Sequence, residues 1–563
     1  MFRPNRSHNQ TELFAFGPHL SEQKRQQLED SEEYTFYQLI FRQIPEEAFA
    51  VLYSEEGSRP NAPVNTLVAA LILLHQRGWT YCELCDHIDF DLKTRTALGL
   101  WDLETTPCSP ATLFNFQNRL ADYWVQTGEN LLERVFDALT QEQLDALELE
   151  TDIQRADSFL AASNIRDYSR LQLLIEVLQR FVRILTEQDL DAVADLVEPY
   201  LGQSSGHYLY RLEAAVLPDE LAQVGPIYQQ LLTRFAADYG DTEIYRILER
   251  VYGEHFAEVA EQVQVRPASD VPSTSLQSPD DLDATYRKKG SQASRGQTIH
   301  VAETCHPANQ LNLITDVAVA PNTTDDSVIL ADRVAAMQQK TPDLAELHTD
   351  AGYASDATDT TLQAADITLI QTAIKGRKAA VPLTITAREE GYQVTCPEQT
   401  VPAQRTPKGW KAEFAWAVCT ECPVQEACQT RAGKAARRWY FDEADAQRHA
   451  RWARWDALPE ARQTLRPNVE ATVREMQGAM RNGKLKVRGA WATGMYAFLR
   501  AIGVNFGRIA RLLADPDTEM TVATLRHMLP SRILWNIRRF LRNILDVRWA
   551  QQHVWKFHLL KVF

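Results

Sequence analysis

Apolar positions recur at helical spacing through the amino-terminal quarter of the chain. A helix is expected over Ser21 to Ser31. Val64 to Gln76 is strongly apolar, Tyr81 to Ile88 forms a second short helix, and Ser109 to Leu120 opens on Ser-Pro, an N-cap followed by a first-turn proline. Arg170 to Val265 reads as almost wholly helical, with apolar runs such as Leu171 to Leu178, and has no fixed-period repeat. Pro, Ser, Gln and Asp from Pro267 to Asp283 mark a linker. The period changes elsewhere. Ile153 to Leu160 carries a strand pattern diluted by Gln154 and Arg155, and Leu313 to Ala320 and Leu344 to Leu347 are further strands. Gly391 to Cys396 and Trp410 to Trp416 alternate like a small hairpin. Ala354 to Ala365 reads as a helix capped by Ser355 and Asp356. Pro467 and Asn468 open another, with Val469, Val473 and Met476 facing inward.

Three acids stand at the edges of these elements. Asp350, in His348-Thr349-Asp350-Ala351-Gly352-Tyr353, follows a strand and precedes a turn, where open α/β sheets place ligands. Asp in a turn is also common for local hydrogen-bonding reasons. Asp157 lies on the diluted strand and Glu470 on the Pro467 helix. Two strand-borne Asp and one helix-borne Glu suit hard divalent ions, and two such ions about 4 Å apart can hold both the attacking and the leaving oxygen of a phosphoryl transfer.

The order Asp…Asp-x-Gly-Tyr…Arg-x3-Glu resembles bacterial insertion-sequence transposases of the DDE type. The resemblance extends from Lys289-Gly290 through His300-Val301 to Leu313–Asp326, which is similar to the paired inner strands and the turn opening the next helix. It continues over Asn482–Gly489 and Ala501–Asn505, so it covers most of residues 60–515. It implies a multidomain α/β chain: a ribonuclease-H-like mixed sheet flanked by helices, an N-terminal helical domain, a helical insertion and a small Cys-rich insertion. It further implies that Asp157, Asp350 and Glu470 bind Mg²⁺ or Mn²⁺. The reaction would be hydrolysis at a transposon end, then attack of the freed 3′-hydroxyl on target DNA, in a homodimeric complex. Arg466 and Arg474 would grip phosphates bidentately. Two family positions differ: Gln463 stands where a tyrosine is usual and Gln477 where a lysine is usual, leaving Arg474, Arg481 or Lys484 to supply that cation. The same acids would also serve a metal-dependent nuclease, or persist in a catalytically decayed, DNA-binding relative.

At 563 residues the chain should hold about three or four domains. Their expected bounds are 1–140 (helical, a possible helix-turn-helix), a catalytic domain split over 145–169, 284–375 and 456–515, an acidic helical insertion at 170–283, a Cys-rich insertion at 376–455, and a basic helical tail at 516–563. Met1-Phe2-Arg3-Pro4 leads into polar residues, and no window reaches about 18 apolar residues, so a cytoplasmic protein that does not enter the membrane is expected.

The net charge of −16 is unusual for a DNA enzyme until it is divided by region. Leu171 to Asp283 holds 7 Lys and Arg against 20 Asp and Glu, whereas Arg431 to Phe563 holds 25 against 11. The basic part surrounds Glu470 and is the expected footprint for double-stranded DNA; the bland alternative is that it docks onto the acidic part. Lys484, Lys486 and Arg488 would share one side of an extended segment, and Arg474 and Arg481 one side of the preceding helix. Thr112, Asn115 and Arg119 could read a major groove, although a helix that only packs or dimerises fits them equally. Cys396, Cys419, Cys422 and Cys428 favour structural zinc, or else reduced thiols packed as small apolar groups. Cys82 and Cys85 are expected to pack in a core.

Overall fold

The computed structural model describes residues 1–9, 15–54, 60–260, 262–372, 380–381, 383–518, 520–522 and 524–525. The expected basic tail at 516–563 therefore lies almost entirely outside the described residues. The chain divides into two compact units, the first formed by Met1–Glu150, Pro307–Thr315 and Phe498–Phe563, the second by Thr151–His306 and Asp316–Ala497.

The first unit is helical. Val64–Arg77 is buried from Val64 to His75 and stops at Gly78, whose φ of 71° is left-handed. Helix α1 (Pro110–Thr127) opens as expected, with Ser109 accepting from the Thr112 amide. Leu131–Ala146, a helix absent from the expectations above although its apolar residues recur at helical spacing, buries Leu132, Val135, Phe136 and Leu139. Cys82 does not pack in a core as expected: it is exposed and Cys85 is half-buried, while nearby Cys108 is buried.

The second unit is built on a mixed sheet of β1 (Ile153–Ala162), β2 (Thr285–Lys289), β3 (Gln292–Thr304), β4 (Ile314–Pro321), β5 (Glu346–Thr349) and β6 (Thr368–Gln371). Strand β3 pairs with β2, β4 and β1, β1 with β5, and β5 with β6. The β1–β3 pair is antiparallel, while β5 and β6 run parallel to β1. Parallel return needs a crossover, and helices α2 (Asp326–Lys340) and α3 (Asp356–Ala364) supply it. Leu330, Val334 and Met337 of α2 and Leu362 of α3 share a core with Ala156 of β1 and Leu347 of β5. The order β4-β3-β1-β5-β6 fits a ribonuclease-H-like fold.

Two insertions interrupt this frame. The acidic one has its own core, in which Leu174, Leu178 and Phe181 meet Tyr228, Leu231, Phe235, Leu248 and Val251. It departs from the all-helical expectation in one place, a hairpin of Phe256–Val259 and Gln262–Val265. The Cys-rich insertion is larger than a hairpin, with six strands in the order β11-β12-β10-β9-β8-β7: β7 (Thr384–Arg388), β8 (Gly391–Thr395), β9 (Thr400–Thr406), β10 (Gly409–Ala415), β11 (Arg431–Ala432) and β12 (Ala436–Phe441). Trp416, expected to end a strand, instead begins the short helix Trp416–Glu421.

Helix α4 (Val469–Gln477) follows, entered through a 3-10 turn at Arg466–Asn468 that holds Pro467 in its first positions. It buries Val469, Thr472 and Met476, with Val473 half-buried. The chain then turns through Asn482 and Gly483, both at positive φ (53° and 73°), with Arg481 and Lys484 exchanging backbone hydrogen bonds. Two consecutive positive φ values define a tight hairpin turn, which Asn-Gly adopts at little cost. Arg481 therefore stands in this turn rather than on the helix with Arg474, which overturns that expectation. Helix α5 (Ala490–Ala514) closes the described part.

Candidate active site

Strand pairing sets the first two acids. Arg155 on β1 lies opposite His348 on β5, and Asp157 and Asp350 each follow two residues later, at the same end of this parallel pair. Neighbouring strands are about 4.8 Å apart. Asp350 caps the turn that follows, accepting from the Gly352 amide at 2.7 Å. Gly352 keeps this place open: a Cβ would lie 2.9 Å from Asp350 Oδ1 and 3.2 Å from Asp326 Oδ2, so both carboxylates would have to shift.

Glu470 reaches the same place from α4, through Arg466 one helical turn before it. Arg466 Nη2 lies 2.9 Å from Asp157 Oδ2 and 3.8 Å from Asp350 Oδ2, and Nη1 lies 3.8 Å from Glu470 Oε1. One guanidinium is thus shared by all three carboxylates. The side chains of Asp157 and Arg466 are each only 15% exposed, whereas Glu470 is 59% exposed and forms the open wall. Burial pushes the Asp157 carboxyl above its ordinary range. Arg466 opposes this, while Asp350 and Asp326 add to it.

A buried polar cluster anchors the helix that carries Glu470. Arg155 Nε pairs with Glu303 Oε1 at 2.7 Å, Thr472 Oγ1 donates to Glu303 Oε2 at 2.6 Å, and Arg155 Nη1 donates to the Leu465 carbonyl at 2.8 Å. It ties β1, β3 and α4 together two residue pairs from Asp157. On the other side Tyr353, wholly buried, places its hydroxyl 3.0 Å from His300 Nδ1.

Among the described residues, no group of three or more His, Cys, Asp or Glu is arranged to hold a metal ion. At the acids, the Arg466 guanidinium contacts all three carboxylates. Their oxygens are nevertheless the donors a hard dication takes, and one guanidinium offsets only one of the three charges. Cys396, Cys419, Cys422 and Cys428 line one cavity of about 20 Å³. Cys396 Sγ accepts from the Gln399 amide, Cys419 Sγ from Gln399 Nε2, and Cys428 Sγ contacts Thr430 Oγ1. These contacts fit free thiols, and nothing beyond their nearness supports the zinc expectation.

The cations expected to meet DNA are distributed as follows. Arg474 and Arg481 are exposed. Residues 483–488 run beside the end of β1, the Leu485 amide donating to the Ala162 carbonyl at 2.8 Å and the Asn164 amide to the Val487 carbonyl at 3.2 Å. Leu485 is buried and Lys486 and Arg488 are exposed, while Lys484 and Val487 are both half-buried and the chain bends at 486–487. Lys484 and Arg488 also reach inward, to Asp167 at 3.5 Å and Asp280 at 3.7 Å. Of these two partners, only Asp280 belongs to the acidic stretch 171–283. In the other unit, Thr112, Asn115 and Arg119 line a cavity of about 420 Å³, with Arg119 over the Tyr53 ring at 5.0 Å.

Sequence reasoning missed Arg155, Glu303 and Asp326. Charged residues inside strands count against a strand pattern, yet here they carry the site's support. For Arg155 and Glu303 the signal was charge at positions where a core strand would hold apolar residues; Asp326, at the start of α2, had no such signal.

A family model described as a transposase DDE domain matches residues 391–510, which include Glu470 and exclude Asp157 and Asp350. A second, described as a transposase domain (DUF772), matches residues 22–119 in the helical unit. No curated protein and no solved structure matches the chain. No described helix is long and apolar enough to cross a membrane. DDE transposases bind DNA and generally use divalent metal ions, and the two matches, over residues 22–119 and 391–510, indicate an insertion-sequence transposase of the DDE type.

Proposed function

We propose that this chain cleaves phosphodiester bonds at transposon ends and joins the freed 3′-hydroxyl to target DNA, with Asp157, Asp350 and Glu470 as the metal-holding acids. The observation that carries this reading is the convergence of these three side chains on the single Arg466 guanidinium. Carboxylates gathered around one cation are disposed to take another. When bound there, Mg²⁺ or Mn²⁺ lowers the pKa of the attacking water or hydroxyl and stabilises the leaving oxygen. The chain itself supplies the rest. Strand register and the Gly352 amide fix the two Asp, and the Arg155–Glu303–Thr472 cluster fixes the helix of Glu470. Arg466, once released from the acids, is placed to hold a backbone phosphate beside them, and exposed Arg474, Arg481, Lys486 and Arg488 extend a basic face for the duplex.

The test supplies duplexes with and without terminal inverted repeats and follows cleavage and strand joining in Mg²⁺. Asp350→Ala should abolish both while DNA binding stays roughly intact. Cleavage that persists in Asp350→Ala would refute the assignment of the acids. Cleavage without joining on any end would replace transposition with a nuclease activity.

A further inference from the structure

The site holds a fourth carboxylate that the three-acid pattern does not include. Asp326 is the first residue of α2, and it reaches the acids through β1 rather than through its own helix. Its Oδ1 accepts from Ser158 Oγ at 2.6 Å, and Ser158 is the neighbour of Asp157. Its Oδ2 lies 3.2 Å from the point where a Gly352 Cβ would stand, and Asp350 Oδ1 lies 2.9 Å from the same point. The two carboxylates thus flank one glycine and are no farther apart than those two distances combined.

The N-cap position is Asp325, which makes no side-chain cap, and a carboxylate in the first turn ordinarily faces the positive end of its own helix. Asp326 instead turns sideways, and among the described residues its one hydrogen bond is from Ser158, with no ion pair. Oδ1 is satisfied, and Oδ2 faces a second carboxylate across a gap that Gly352 keeps clear. Two like charges so placed are unfavourable unless a cation is shared between them. Arg466 contacts Asp157, Asp350 and Glu470 but not Asp326.

We infer that Asp326 is a fourth acid of the metal site, acting beside Asp350 with Ser158 orienting its carboxylate; this rests on the acid-site reading above. The chemistry it would recognise is a hard divalent cation with oxygen ligands. The sequence separation of 168 between Ser158 and Asp326 explains why no local motif announces the pair.

The test measures free Mn²⁺ by electron paramagnetic resonance over the full-length chain bound to an end duplex. Parent, Asp326→Asn, Ser158→Ala and Asp350→Asn are compared, with DNA binding and thermal melting followed in parallel. Asp326→Asn keeps the shape and can still accept from Ser158. It should weaken Mn²⁺ binding at least tenfold and raise by a similar factor the Mn²⁺ needed for half-maximal cleavage, with DNA binding unchanged. Ser158→Ala, which leaves the carboxylate in place, should weaken Mn²⁺ binding by a smaller factor. If Asp326→Asn binds Mn²⁺ like the parent while Asp350→Asn does not, the inference about Asp326 is overturned and the three-acid site stands. If Asp326→Asn fails to fold, and Ser158→Ala folds and binds Mn²⁺ like the parent, Asp326 is structural and the inference is again overturned. Parent-like Mn²⁺ binding by Asp350→Asn would overturn the acid-site reading and this inference with it.

Discussion

Replacing Arg155 by Met should show how much of the catalytic unit rests on one buried ion pair. The Arg155 side chain is 7% exposed and Glu303 is fully buried, with 2.7 Å between Nε and Oε1. Removing one partner of such a pair leaves a buried charge without its counterion and costs about 3–5 kcal/mol. The missing donor to the Leu465 carbonyl adds about 1 kcal/mol. At about 2 °C per kcal/mol for a large domain, the melting transition of this unit should fall by roughly 8–12 °C. The double variant Arg155→Met/Glu303→Leu removes both charges, so it should lose less than half as much, because a buried pair in total adds little net stability. Scanning calorimetry of the full chain measures all three proteins. A double variant as unstable as Arg155→Met, or an Arg155→Met protein that melts with the parent, would refute the reasoning. Cleavage by the double variant should also drop, because Thr472 loses its acceptor and α4 its tether beside Glu470.

Gly352→Ala should reduce cleavage at least tenfold with little change in melting, since its methyl group would push apart the Asp350 and Asp326 carboxylates; parent-like cleavage would contradict the packing. The triple variant Lys484→Glu/Lys486→Glu/Arg488→Glu should weaken binding to all DNA sequences about equally and flatten the salt dependence by roughly 0.9 log units for each phosphate no longer neutralised; undiminished binding would assign this segment to the Asp167 and Asp280 pairings alone. Burial holds the imidazoles of His255 and His300 down at about 4, against an ordinary 6.5. Folding therefore keeps them neutral, and the stability tied to that is complete above pH 6.5 and lost as pH falls towards 4, by up to about 3 kcal/mol each. Acid unfolding followed by circular dichroism should shift to lower pH in His300→Gln, and an unchanged midpoint would count against the buried, neutral His300.

The parts of the site legible in the sequence are those that local chemistry encodes. Asp350 can be placed because a strand, a turn glycine and a Ser355 cap follow one another within a few residues. Glu470 can be placed because Pro467 marks a helix start and Val469 and Met476 give its inner face. The spacing of seven between Arg474 and Arg481 suggests one helical face, but Gly478 and Asn482-Gly483 end the helix before that face is complete. The hydropathy around Cys82 points to a core, yet one helix has both an inner and an outer face. Arg155, Glu303 and Asp326 are out of reach for a different reason. Their roles exist only once elements distant in sequence meet: charge in a strand looks like noise until its partner is known, and Asp326 finds Ser158 only when α2 packs on β1.

The helix that completes the acid cluster comes late. Arg466 lies 309 residues after Asp157, so at about 5–20 residues per second a ribosome needs roughly 15–60 s between them. Strand β1 leaves the ribosome long before its last partner. During that interval the acidic insertion, which closes its own core from consecutive residues, can fold first and keep the early strand tethered to something compact. A truncated or unfinished product would carry Asp157, and then Asp350, without Glu470 or the turn that pairs with the end of β1. Nuclease competence would thus be the last property the growing chain acquires, and a partly made enzyme would be harmless to the DNA around it.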